Sequence, residues 1–120
     1  MVGDVVAVTS AFAATRTQPA AAARVLARFG HALSDPTRAR LLLALRQAPG
    51  YPADLADELG VSRQNLSNHL SCLRDCGLVV WSQEGRRVRY ALADPALGHA
   101  LSDLLSAVAA IDPLAQEDHR

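Results

Sequence analysis

The stretch DLADELGVSRQNLSNHLSCLRDCGLV, residues 54–79, contains two short helical patterns separated by about three residues. In the first, from about Pro52 to Leu59, Leu55 and Leu59 point inward while Asp54, Asp57 and Glu58 point outward. Gly60 then occupies the position where helices commonly end in the left-handed conformation. Ser62 is a good N-cap, because its side-chain oxygen can accept an amide left free at the helix start. Behind it Leu66, Leu70 and Leu73 recur at i, i+4 and i+7, which gives the second helix one buried stripe. That helix is expected to run from Ser62 to Gly77. A tight, Gly-containing turn between two short helices is a helix-turn-helix, and its second helix is the one laid against the major groove of DNA.

The flanks extend this reading. Upstream, Pro19 opens an Ala-rich helix that carries Val25, Leu26, Phe29 and Leu33 on one face. Asp35-Pro36 caps and starts the next helix, Pro36 to Gln47, whose Leu41, Leu42, Leu43 and Leu45 suit a central core position. Downstream, the period changes to two. Leu78 to Trp81 and Val88 to Leu92 read as strands joined around Glu84-Gly85-Arg86, a hairpin wing. Asp94-Pro95 starts a last helix to Ile111, with Leu97, Leu101, Leu104, Leu105 and Val108 in one stripe. That stripe is more than so small a core can cover, which fits a helix at a subunit interface. The fold expected is mainly α with a small β-hairpin, a dimeric winged helix-turn-helix of five or so helices. The domain is expected over 18–112, with a tail at 1–17, disordered or loosely helical, and another at 113–120.

Composition agrees. Of the 120 residues 50% are hydrophobic but only 4% aromatic, so the core is built from Leu, Val and Ala, as in packed helices. Net charge is zero, yet its distribution is uneven: residues 62–90 carry +3 and residues 91–120 carry −4. A basic block of this kind is what a local phosphate-facing surface requires. No apolar run is long enough to span a membrane, and Met1 to Phe12 lacks a basic n-region, so a cytoplasmic protein is expected. No nucleophile–base arrangement, phosphate loop or HExxH motif is present, so neither an enzyme nor a small-molecule substrate is expected.

The polar face of the helix from Ser62 carries Arg63, Gln64, Asn65, Ser67, Asn68, His69 and Arg74. Nearly all of them suit base edges or phosphates, and none is an acid. With Ser62 and the wing residues Arg86, Arg87 and Arg89 they form the expected contact surface for double-stranded operator DNA. Cys72 and Cys76 stand at i and i+4 on the same helix, where two thiolates can reach one soft metal ion. Two buried, inert cysteines would show the same spacing.

The segments DPTRARLLLAL (35–45), DLADELGVSRQNLSNHLSCLRDCGLV (54–79) and EGRRVRYAL (84–92) resemble the ArsR/SmtB family of metal-responsive repressors, and the likeness spans residues 22–112. It is nearest to the family's cadmium- and lead-sensing branch. The resemblance implies a homodimer joined by the first and last helices, a palindromic operator, and release of DNA when cadmium, lead or zinc binds. It also implies that Cys72 and Cys76 are ligands, completed in that branch by a third cysteine near the C-terminus. Here that position falls at about Glu117, with His119 beside it. The family's other sites are not matched: no cysteine occurs at 51–55, and Ala96, Ala107 and Ala110 stand where the last-helix site has histidines. His31 and His99, on the two interface helices, are an alternative pair for nickel. Other readings stay open: a signal from thiol oxidation or a partner protein, an activator, or a winged helix used only for protein association.

Overall fold

The computed structural model describes residues 19–112. The expected tails at 1–17 and 113–120, and with them Glu117 and His119, lie outside the described residues. The order is α1 (Pro19–Leu33), α2 (Pro36–Gln47), α3 (Pro52–Leu59), α4 (Arg63–Asp75), β1 (Val79–Glu84), β2 (Arg87–Leu92) and α5 (Pro95–Ile111).

Helix α2 is the hub, in contact with the other four helices and with β2. Its Leu41, Leu42 and Leu45 meet Leu55, Leu59, Leu66, Leu70, Leu73, Val79 and Leu101 in one cluster. Each fully buried Leu removes apolar surface from water and stabilises by about 1.5–3 kcal/mol. The start of α2 is held twice. Asp35 accepts the Arg38 amide at 3.0 Å, and the Arg38 guanidinium donates to the carbonyls of Ala32 (3.0 Å) and His31 (2.9 Å) at the open end of α1. Carbonyls that a helix C-terminus leaves without partners are thereby satisfied.

Gly60 ends α3 at φ +70°, a conformation that a side chain would strain. The chain then turns within three residues into α4, whose cap Ser62 accepts the Asn65 amide at 3.0 Å. Helix α4 stops at Asp75, with Cys76 as its C-cap, two residues short of the expected end; Gly77, at φ +78°, turns the chain away. The hairpin is also longer than expected on its first strand. Val79 pairs with Leu92, and pairing continues to Glu84 opposite Arg87, which leaves Gly85-Arg86 as a two-residue loop. Gly85, at φ +62°, supplies the positive φ that such tight hairpin loops need. A further bridge joins Gly50 to Tyr90 and ties the loop before α3 to the wing.

The stripe on α5 divides. Leu101 is buried, but Leu104, Leu105 and Val108 are exposed, as are Val25 and Leu26 on α1. The core of one chain leaves these apolar side chains uncovered. Among the described residues no helix is long and apolar enough to cross a membrane.

Candidate functional site

With Leu66, Leu70 and Leu73 turned into the core, α4 presents Arg63, Gln64, Asn65, Ser67, Asn68 and Arg74 to solvent. Gln64 Nε2 donates to Asn68 Oδ1 at 3.1 Å, so these two amides are held together one turn apart on the exposed face. No acid occupies the first turn of α4, and nothing there opposes the positive end of the helix dipole. The result is a row of donors and acceptors of the kind that reads base edges and grips phosphates.

His69 is set apart from that row. Its ring is half-buried, and Nε2 lies 3.8 Å from Asp35 Oδ2, against the start of α2. Asp35 is held below its usual carboxylate value, first by the Arg38 amide bond and also by the nearby His69.

In the wing, Arg86 lies at the exposed tip of the loop and, among the described residues, has no ion-pair or hydrogen-bond partner. Arg87 and Arg89 are engaged. The Arg87 guanidinium donates to Asp54 Oδ2 at 3.0 Å and lies 3.5 Å from the centre of the Tyr51 ring. Arg89 Nε is 3.6 Å from Glu84, and the Tyr51 hydroxyl donates to Glu84 at 2.7 Å. Sequence reasoning missed Tyr51, Asp54 and Glu84 as partners of the wing arginines. Tyr51 and Asp54 stand more than thirty residues before Arg87, and no local pattern signals contacts at that separation.

Cys72 and Cys76 are both free thiols and both half-buried. The Cys76 amide donates to the Cys72 carbonyl at 3.1 Å. Burial pushes the Cys76 thiol up, and the neighbouring Cys72 adds to the shift; Arg28 of α1 pulls the other way. Cys76 also lines an apolar groove of about 360 Å³ with Val25, Leu26, Phe29, Leu78 and Leu97. Two adjacent sulfur donors suit a soft metal ion, but they are only part of a coordination sphere. Among the described residues of one chain no three His, Cys, Asp or Glu side chains gather into one set. His31 is exposed at the end of α1, and His99 borders a separate groove with Arg46 and Ser102.

Comparison with known proteins bears on this arrangement. Residues 35–80 match the model of the bacterial regulatory protein arsR family. The HTH-type transcriptional regulator CmtR of Mycobacterium tuberculosis is 60% identical over 87 residues, 72% of this chain and 74% of that one. The solution structure of this cadmium metal-sensor superposes with a TM-score of 0.60, covering 68% of this chain and 85% of that one. A probable mercury resistance operon repressor of Streptomyces lividans is 39% identical, covering 68% and 66% of the two chains. A homodimeric winged helix-turn-helix DNA-binding domain, Mb0332 of Mycobacterium bovis, is 29% identical with a TM-score of 0.69, covering 77% and 84%. The described helices and hairpin have this same winged architecture. The chain belongs to the arsR family of bacterial regulatory proteins, DNA-binding regulators of transcription.

Proposed function

We propose that this chain is a homodimeric repressor that binds operator DNA through α4 and the wing, and lets go when a soft metal ion binds Cys72 and Cys76. The observation that carries the reading is the placement of both functions on one helix. The exposed face of α4 bears Arg63, Gln64, Asn65, Ser67 and Asn68, and its C-terminal end bears the two thiols. The likeness to a cadmium sensor at 60% identity favours cadmium, lead or zinc over nickel as the signal.

When bound, a soft divalent ion supplies a bond to each thiolate and a positive charge at the end of α4. Cys76 caps that helix and borders the groove beneath α1 and α5. It therefore faces, across that groove, the two helices whose apolar rows a second copy would cover. Glu117 or His119, carried by either protomer, supplies the missing donors in this account. The chain's role is to bind and signal rather than to catalyse, in the cytoplasm where its DNA and reduced thiols reside.

Coupling free energies between such sites are typically about 1–3 kcal/mol, or about 5–150-fold in affinity. The test is a titration of a duplex that the chain selects from a randomised pool, with and without cadmium at fixed salt. Weakened binding supports the proposal. Unchanged binding with the metal shown to be bound refutes the sensing half.

A further inference from the structure

The three wing arginines differ in what surrounds them. Arg86 at the tip has no partner among the described residues. Arg87, next to it, is held from two sides, by the Asp54 carboxylate at 3.0 Å and by the Tyr51 ring at 3.5 Å. The same ring is fixed at its far end, where the Tyr51 hydroxyl donates to Glu84, the residue paired with Arg87 across the hairpin. The neighbouring residue Gly50 exchanges two main-chain bonds with Tyr90, of 2.9 and 2.8 Å. The loop entering α3 and the first turn of that helix are thus bound to both strands of the wing by four kinds of contact.

On the reading that the wing touches DNA, we propose that Arg87 is a positioning residue. It clamps the wing to the first helix of the helix-turn-helix, and the phosphate contact at the tip belongs to Arg86. An exposed ion pair alone is weak, and so is a single cation–ring contact at the surface. Here both are made by one guanidinium, against a ring that the Glu84 bond and the Gly50–Tyr90 bridge already hold in place. Moving Arg87 to a phosphate would break both contacts and leave the Asp54 carboxylate uncompensated beside a polyanion. Its charge is already matched by Asp54, so it has little counterion to release on binding, whereas Arg86 has a full charge to neutralise.

The two roles give opposite signs for Asp54→Asn, which is what makes them separable. If Arg87 grips phosphate, removing the competing carboxylate tightens DNA binding. If Arg87 is the clamp, the same change loosens the wing and weakens binding. Fluorescence anisotropy of the selected duplex, read over a range of salt, measures both affinity and its salt slope.

Arg87→Ala and Asp54→Asn are each expected to weaken binding about two- to five-fold, as the loss of an exposed pair allows, and Arg87→Ala to leave the slope of log affinity against log salt unchanged. The double variant is expected to bind no worse than either single one, and Arg87→Lys to recover part of the loss. Arg86→Ala is expected to flatten the slope by about 0.9 per protomer. Thermal unfolding of each variant checks that the fold is kept, as the exposure of these side chains predicts. Asp54→Asn binding as tightly as the parent or more so, or Arg87→Ala flattening the slope, overturns the proposal alone. Failure of the parent chain to select any duplex overturns the DNA reading and this proposal with it.

Discussion

Cadmium affinity should depend on pH, and Cys76 is expected to steepen that dependence. A thiolate, not a thiol, binds the metal, so each cysteine ligand sheds a proton on binding. An ordinary cysteine titrates near about 8.5, and burial together with the nearby Cys72 raises Cys76 above its ordinary value. The sign follows: a raised value means that Cys76 is protonated at neutral pH, so lowering the pH opposes binding. The Cys76 proton displaced on binding corresponds to about 1.36 kcal/mol per pH unit. Cys76 is therefore expected to add a factor of about ten per unit to the fall in affinity between about pH 7.5 and pH 6.5. The near-ultraviolet absorption of cadmium–thiolate bonds, followed against a competing chelator at several pH values, measures it. Cys76→Ser should remove that factor. A parent dependence no steeper than that of Cys76→Ser would refute the paired-ligand geometry.

Other consequences concern the fold and the dimer. Leu66→Ala removes a side chain with no exposure from the core face of α4 and is expected to cost about 2–5 kcal/mol, read as a lowered Tm at fixed protomer concentration. Leu105→Glu places a charge in the uncovered α5 row, and sedimentation should show the dimer giving way to monomer while the circular dichroism of the helices persists. Asp35 has a lowered value in the folded state, chiefly from the Arg38 amide. Its contribution to stability is thus fully present above the unfolded value of about 3.9 and is lost as the pH falls through the folded one. Melting temperatures between pH 7 and pH 3 should fall less steeply for Asp35→Asn than for the parent.

The elements that were legible in the sequence are those set by local chemistry. Asp35-Pro36, Ser62 and Asp94-Pro95 mark helix starts because the cap and the amide it accepts lie two or three residues apart. Gly60 marks an end because its φ is positive. Strand β1 runs on through Ser82, Gln83 and Glu84, where no apolar alternation exists, because main-chain pairing to β2 needs no particular side chain. The exposed face of α4 followed from the spacing of three leucines. The partners of Arg87 did not, since Tyr51 and Asp54 reach it only through the folded wing. His69 looked like one more polar residue on the α4 face; its contact with Asp35 depends on how α4 packs on α2.

The most direct test of the account is DNA affinity measured with and without cadmium, for the parent chain and for Cys72→Ser with Cys76→Ser, on the selected duplex at one salt concentration. Cadmium is expected to weaken the parent's binding by about 5–150-fold, the usual range for coupled sites, and to leave the doubly substituted chain unmoved. Equal weakening of both chains, or none in the parent with cadmium bound, would contradict it.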